Sequence, residues 1–322
     1  MPIYISPIED VYVYFDDGII RKFSDPYVYG DELSTIMRKA AMGVIDHMDL
    51  DKSEDILVIK ILEGGNFYYM SETLRSMGFR NIDEAVIDIK SRMKYDPKDV
   101  VTEVVDYGNI FEKLGNASIV VLGETIASGS TMETFINTVS DYIGGIKEFI
   151  IIGFHTWVGV DRVIRKLSEF NVKYKFYSYG GLLGLGPNKT DMTVNYSPSY
   201  IPDIVREKVY KALGKYIADR LCVIGDFTYS FKYIDFYLAE RIVQLRELFD
   251  DAGDNDRIRI VSLIREGLSR MMNLGLSINE INERLNEEYK RRMRLVGVNV
   301  DTTISIEYVL NDDMLRSRGR ND

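Results

Sequence analysis

Apolar residues in this chain form two patterns, short unbroken runs and stretches that repeat every three or four residues. The runs that are unbroken or nearly so cover residues 56–62, 85–89, 119–122 and 148–153, and a further strand is predicted at residues 172–178. Such runs are typical of strands buried on both faces of a parallel sheet. Because helical spacing separates most of them, we predict an α/β fold with a parallel, Rossmann-like sheet. Ligands of such sheets bind at the carboxyl ends of the strands.

The first 50 residues predict two further kinds of element. Apolar and polar residues alternate in residues 1–29 around Asp16-Asp17-Gly18, which is a turn signal, so we expect a hairpin or a pair of short strands there. Asp31 is a candidate cap for a helix over residues 32–48, whose apolar positions recur at helical spacing.

Beyond a proline-containing linker at residues 196–202, the period becomes helical and stays so. We predict a capping box in which Ser277 and Glu280 begin the last helix. The chain therefore divides into an α/β domain, residues 1–200, and an α-helical extension, residues 201–322. The predicted helices of the extension lie near residues 203–220, 231–250, 256–273 and 278–295.

Composition narrows the class of protein. The 322 residues are 46% hydrophobic and 28% charged, which supports a packed core. A net charge of -10 argues against a nucleic-acid partner, and no apolar run reaches the roughly 20 residues that span a membrane. One cysteine and two histidines leave little material for disulfide, zinc or histidine chemistry. The start of the chain lacks the pattern of a signal peptide, so we expect a cytoplasmic protein.

Residues 119–131 join an apolar strand to a helix through small, hydroxyl-bearing residues. Glu124 follows the strand, and a helical face begins at Met132. A loop of this kind exposes backbone N–H groups at the positive end of a helix dipole, which suits a phosphate group. The alternative is an ordinary strand-to-helix turn that Ser and Thr side chains cap. The loop residues are Ala127, Ser128, Gly129, Ser130 and Thr131.

This run resembles the 5-phosphoribosyl-1-pyrophosphate (PRPP) motif of type I phosphoribosyltransferases, in which four apolar residues precede two acids and a small loop. Glu124 matches the second acid, whereas Gly123 occupies the position of the first. The resemblance covers residues 30–190. It implies that residues 127–131 hold the 5-phosphate and that Glu124 binds a ribose hydroxyl or, through water, a magnesium ion.

Two further segments resemble motifs of the same family, and they occur in the same order along the chain. After the strand at residues 56–62, Glu63, Gly64 and Gly65 resemble the pyrophosphate loop of the purine enzymes, with Glu63 in place of a lysine. A simple tight turn is the alternative. Residues 90–97 occupy the place of the family's flexible catalytic loop, where Arg92 and Lys94 would close over pyrophosphate. A solvated polar loop is the alternative there, and residues 100–105 are expected to be a returning strand.

Residues predicted to contact a base follow the next two strands. Aromatic residues at a strand end can stack on a planar base, and Phe154 lies at such an end. Residues 180–191 form an expected glycine-rich loop that is similar in position to the base-recognition segment of uracil-type enzymes. The alternative is a mobile surface loop. The predicted base contacts are Phe154, Gly184, Gly186 and Asn188.

The resemblance implies an enzyme that transfers a phosphoribosyl group to a nucleobase with release of pyrophosphate, using Mg²⁺ and forming a homo-oligomer such as a dimer. Gly123 and Glu63 depart from its pattern. Two alternatives therefore stay open, a non-catalytic sensor of PRPP or a nucleotide, and a structural oligomer with a vestigial site.

Overall fold

A mostly parallel sheet forms the centre of the computed structural model, which describes residues 3–61, 65–93, 100–187, 189, 191–224, 229–295 and 298. The described strands are β1 (Ile3–Ile5), β2 (Val11–Tyr14), β3 (Ile56–Ile61), β4 (Ile82–Met93), β5 (Val100–Asp106), β6 (Ile119–Gly123), β7 (Glu148–Thr156), β8 (Lys173–Leu185) and β9 (Met192–Thr193). Their order is β1-β2-β8-β7-β6-β3-β4-β5, and β9 pairs with β8. Across the sheet, the consecutive strands β2, β8, β7, β6, β3 and β4 pair in parallel, while β1, β5 and β9 are antiparallel to their neighbours.

Helices cover both faces of this sheet, as a parallel sheet requires. The described helices of the first 200 residues are α1 (Asp17–Ser24), α2 (Gly30–Ile45), α3 (Met70–Ser76), α4 (Ile110–Leu114), α5 (Ser130–Thr138), α6 (Ser140–Ile143) and α7 (Trp157–Ser168). Those that follow are α8 (Asp203–Leu213), α9 (Lys215–Ala218), α10 (Tyr229–Lys232), α11 (Ile234–Phe249), α12 (Asp254–Asn273) and α13 (Ile278–Leu295). The observed architecture is therefore the predicted α/β class with an α-helical C-terminal region.

Alternate side chains of the central strands enter two separate cores. Val58 and Val121 belong to the core on one face, whereas Leu57 and Val120 belong to the core on the other. Successive residues of a strand point to opposite faces, so an unbroken apolar run supplies both cores at once. This alternation explains why the sequence shows no polar period in β3, β6 and β7.

The order in which successive strands are added to the sheet reverses between β3 and β6, although these two strands are parallel. From β3 the chain moves to β4 on one side, whereas β6, β7 and β8 are added successively on the other side. In open α/β sheets, such a reversal leaves a crevice at the carboxyl ends of the two strands, and ligands bind there. The loop after β6 lies at this crevice, and Gly65 is the described glycine of the segment that follows β3.

The helical region packs onto the face that carries α1 and α2. Residues along α11 from Tyr237 to Leu245 are buried, and α11 contacts both α12 and α13. Tyr237 Oη donates to the carbonyl of Pro26 at 2.6 Å, and Tyr27 Oη donates to the carbonyl of Leu263 at 2.6 Å. Core residues of this region belong to the same cluster as those of α2.

Some predictions about local structure are wrong. The pair of short strands expected in residues 1–29 is present as β1 and β2, but Asp16-Asp17-Gly18 is not their turn, because Asp16 Oδ1 accepts the N–H of Ile19 at 2.8 Å and caps α1. Gly180 to Leu185 is not a loop, because β8 continues through it and these residues are mainly buried. Glycine at position 180 is required by Phe23, whose ring would lie 2.4 Å from an added Cβ.

Several other predictions are confirmed. The helix predicted over residues 32–48 is α2, but it begins at Gly30, so Asp31 lies in its first turn and the cap prediction for Asp31 is wrong. The apolar positions of α2 are buried as its spacing predicts, namely Leu33, Ile36, Met37, Ala40 and Val44. The returning strand is β5, although β4 extends through Met93 and takes in part of the expected loop. Ser277 and Glu280 form the predicted capping box, with Ser277 N–H donating to Glu280 Oε2 at 2.7 Å. No described helix is long and apolar enough to cross a membrane.

An ion-pair network joins α13 to the segment after β8. Arg292 Nη2 lies 3.1 Å from both Asp191 Oδ2 and Glu247 Oε2, and the Arg292 side chain is only 12% exposed. We predict that Arg292→Ala lowers the free energy of unfolding by about 3 kcal/mol, because it leaves two shielded carboxylates without their cation. The exposed Arg294 on the same helix is the control, and Arg294→Ala should change stability by less than about 0.5 kcal/mol. Equal urea midpoints for both variants would contradict this assignment.

Candidate functional site

The loop between β6 and α5 is held in place by the strand beside it. Ile126 N–H donates to the carbonyl of Phe154 at 2.9 Å, and Thr156 N–H donates to the carbonyl of Ile126 at 2.9 Å. The Thr156 hydroxyl donates to the carbonyl of Ala127 at 2.5 Å and accepts the N–H of Gly159 at 2.9 Å. One threonine thus caps α7 and fixes the start of the loop.

Glycine at position 129 gives the loop its shape. Its φ of 79° lies in the left-handed region, which side chains disfavour. An added Cβ at Gly129 would lie 2.8 Å from the carbonyl oxygen of Gly159, and one at Gly159 would lie 2.4 Å from that of Ala127. The β6–α5 and β7–α7 connections can therefore approach this closely only because both positions are glycine.

Backbone N–H groups of this loop point away from protein acceptors. Within the described part of the chain, no group accepts a hydrogen bond from the N–H groups of residues 127–131. Ser128 and Ser130 are partly exposed, and their hydroxyl oxygens lie 3.1 Å apart. Unpaired N–H groups at the start of a nine-residue helix, together with hydroxyls, are groups suited to binding an anion.

A cation lies beside the loop. Arg162 Nη1 donates to the carbonyl of Ser128 at 3.4 Å, while its Nε donates to Glu133 at 3.0 Å. The Arg162 side chain is 43% exposed, so it can turn toward a ligand without leaving water. The predicted phosphate residues are thus brought together with one positive charge that the sequence did not indicate.

Glu124 lies at the end of β6, next to the loop. Its N–H donates to the carbonyl of Ile152 at 2.9 Å, and its Oε2 is buried without a hydrogen-bond partner. Burial raises the pKa of this carboxyl to about 8, although a hydrogen bond from the Thr125 N–H opposes the shift. Glu124 is therefore mostly protonated at neutral pH and can donate as well as accept a hydrogen bond.

The position of the missing first acid is filled by an aromatic side chain. An added Cβ at Gly123 would lie 2.4 Å from the Cβ of Tyr68, so no acidic side chain fits there. Tyr68 is fully buried, and its hydroxyl lies 2.5 Å from the hydroxyl of Thr125. Neither Tyr68 nor Thr125 was identified as a site residue from the sequence. The signal available in the sequence was Gly123, whose missing side chain leaves room for another residue at the end of β6.

Residues of the other predicted loops are described only in part. Gly65 packs against the backbone of Lys60, whose Cα would lie 3.0 Å from an added Cβ. Glu63, Gly64 and Lys94 lie outside the described residues. Arg92 lies in β4 opposite Val101 of β5, so it belongs to an antiparallel hairpin and not to an irregular loop.

Three of the four predicted base-contacting residues, Phe154, Gly184 and Gly186, are buried within the protein. Phe154 is fully buried, with its ring centroid 5.4 Å from that of Tyr179, so stacking on a base would require it to leave the core. An added Cβ at Gly184 would lie 1.7 Å from the carbonyl oxygen of Tyr196, and Gly186 N–H donates to the carbonyl of Asp191 at 2.7 Å. Asn188 lies outside the described residues.

Histidine chemistry is not part of this site. His155 is fully buried, and burial lowers its pKa to about 3, although a hydrogen bond with the Glu124 backbone opposes the shift. His47 lies at the far end of α2, where Nδ1 is 2.7 Å from the carbonyl oxygen of Gly43.

The described residues do not by themselves form the magnesium site that the resemblance implies. Magnesium prefers carboxylate oxygens and water, and Glu124 is the carboxyl group at the end of β6, next to the loop. One of its oxygens is buried, and the group is mostly neutral at pH 7. No group of three metal-ligating side chains occurs among residues 3–61, 65–93 and the other described segments.

No family model and no curated protein matches this sequence. Solved structures match about half of the chain at low identity. A hypothetical protein from Neisseria gonorrhoeae with bound ppGpp is 13% identical, covering 48% of this chain and 86% of its own, with a TM-score of 0.31. Purine phosphoribosyltransferase from Pyrococcus horikoshii is 18% identical, covering 46% of this chain and 85% of its own, also with a TM-score of 0.31.

Hypoxanthine-guanine phosphoribosyltransferase from L. donovani is 11% identical, covering 49% of this chain and 84% of its own, with a TM-score of 0.30.

The buried carboxyl makes stability depend on pH in a defined direction. The folded protein holds the Glu124 proton up to about pH 8, whereas an unfolded chain releases it near pH 4.5. The folded state therefore binds more protons between these values, and this group's contribution to stability falls as pH rises through that window. We predict that Glu124→Gln removes this pH-dependent loss of stability. The free energy of unfolding of the variant, relative to that of the wild type, should therefore increase as pH rises from about 4.5 to 8.

The control for this prediction is Glu112→Gln, which alters an exposed carboxylate. Urea unfolding of the three proteins, measured across the same pH range, gives the comparison. A stability difference between Glu124→Gln and the wild type that is constant with pH would contradict the raised pKa.

Proposed function

We propose that this chain binds a phosphorylated ribose, as ribose 5-phosphate, PRPP or a nucleotide, with the 5-phosphate on residues 127–131. The observation that carries the proposal is the set of unpartnered backbone N–H groups at the start of α5. They lie beside the reversal of strand order, where a ligand crevice is expected. A phosphate group satisfies these donors and benefits from the helix dipole.

The site also offers groups suited to a sugar. Ser128, Ser130 and Thr131 supply hydroxyls to the phosphate, and Arg162 supplies a charge. Glu124, at the end of β6, is the candidate for a ribose hydroxyl, since a protonated carboxyl can donate one hydrogen bond and accept another. These roles follow the PRPP-motif resemblance, residue by residue.

Transfer of the phosphoribosyl group to a nucleobase is the second candidate function. The position of Arg92 on β4 supports it, because Arg92 belongs to the segment that resembles the family's catalytic loop. Glu63, Gly64 and Gly65 would then face pyrophosphate, and magnesium would be held largely by the ligand's own phosphates. A homo-oligomer stays part of this proposal.

The geometry favours binding without transfer. Tyr68 fills the place of one acid, and the remaining acid is mostly uncharged at neutral pH, so little negative charge is present to stabilise an oxocarbenium-like ribose. We therefore expect PRPP with magnesium to raise the melting temperature without pyrophosphate release in the presence of any nucleobase of a test panel. Pyrophosphate release with one base, lost in Arg92→Ala, would establish the enzyme instead.

Substitution of the central glycine tests the location of the site. We predict that Gly129→Asp abolishes binding of ribose 5-phosphate, because its φ is positive and a carboxylate there would repel the phosphate. The matched control is Gly144→Asp, since Gly144 is exposed and an added Cβ meets no atom within 4 Å. Isothermal titration calorimetry measures both. Retained affinity in a folded Gly129→Asp protein would show that this loop is not the site.

A further inference from the structure

Two glycines at the ends of neighbouring strands form a slot for one tyrosine ring. An added Cβ at Gly123 of β6 would lie 2.4 Å from the Cβ of Tyr68, and one at Gly153 of β7 would lie 3.0 Å from its Cε1. Tyr68 is fully buried there, and its ring stacks near that of Tyr179 at a centroid distance of 6.2 Å. Because any larger residue at Gly123 would displace the ring, the two positions determine each other.

The tyrosine hydroxyl connects the two loops at the crevice. Tyr68 follows β3, and its Oη lies 2.5 Å from Oγ1 of Thr125, which follows β6. The same Oη accepts the N–H of Phe154 at 3.4 Å. Either hydroxyl can donate in this pair, so the two form one hydrogen bond that joins the segments after β3 and β6. Thr125 is itself partly exposed, so its hydroxyl can also meet a ligand.

This arrangement places hydroxyl groups where a divalent cation would need carboxylates. Calcium and magnesium sites use several oxygen ligands that include carboxylates. At the end of β6, the described residues present Tyr68, Thr125 and one acid, Glu124, while the other acid beside the loop, Glu133, is paired with Arg162. The sugar end of the site therefore offers hydrogen bonds rather than a cation site.

We propose that Tyr68 is a positioning residue that sets the ligand class of this site. Acting through the Thr125 hydroxyl, it adapts the site to the phosphate monoester of a sugar or nucleoside, bound without a divalent cation. This inference rests on the proposed binding of a phosphorylated ribose at residues 127–131. It differs from what the PRPP-motif resemblance implies, which is a ligand that arrives with magnesium.

Calorimetry with ribose 5-phosphate, in buffer with magnesium and in buffer with EDTA, tests the cation requirement. We expect the same dissociation constant in both, within about twofold. Binding that occurs only with magnesium would overturn this inference and leave the proposed function standing. Failure of both ribose 5-phosphate and PRPP to bind under either condition would overturn both.

A double-mutant cycle tests whether Tyr68 acts through Thr125. Tyr68→Phe and Thr125→Val each remove one hydroxyl and nearly keep the shape, so each should weaken binding about fivefold. Because the two hydroxyls act as a unit, the double variant should be no weaker than either single one. A purely structural role for Tyr68 predicts instead that the two losses multiply, which would overturn the inference.

The matched control is Tyr179→Phe. Tyr179 is a buried tyrosine of the same aromatic cluster, and its hydroxyl has no hydrogen-bond partner among the described residues. Its loss should leave the dissociation constant unchanged within about twofold. If Tyr179→Phe weakens binding as much as Tyr68→Phe does, the effect belongs to the aromatic cluster and not to the Tyr68–Thr125 hydrogen bond.

Discussion

Unpaired main-chain N–H groups at the turn from β6 into α5 are the feature on which the rest of this site depends. Such groups are costly when buried and free to bind when they face an opening. Here Thr156, from the neighbouring strand, takes up the carbonyl of Ala127 and leaves the N–H side of the loop without a partner. The loop's shape is thereby set by β7 before any ligand arrives.

Glycines make that arrangement compatible with a packed core. Gly129 and Gly159 let two connections approach each other, while Gly123 and Gly153 admit the ring of Tyr68 between the strand ends. The reversal of strand order between β3 and β6 then brings the loops after these strands to one crevice. The strand order thus determines where a ligand can bind, and the backbone N–H groups of the loop determine which kind of ligand can bind there.

Features of this protein that arise from neighbours in the sequence were predictable, and those that arise from distant residues were not. The run from β6 through the loop to α5 is local, and its strand, loop and helix were all predicted. Asp16 is a good turn residue and an equally good helix cap, and only the hydrogen bond to Ile19 decides between them. Tyr68 lies 57 residues from Thr125, so no local pattern marked their contact.

The central claim is that main-chain amides of residues 127–131 anchor the phosphate of a sugar. A crystal structure of the protein grown with ribose 5-phosphate tests it most directly. The account predicts phosphate oxygens at hydrogen-bond distance, about 2.7–3.2 Å, from these amide nitrogens, with the ribose directed toward Glu124 and Thr125. A phosphate bound elsewhere, with this loop closed against protein, would contradict it.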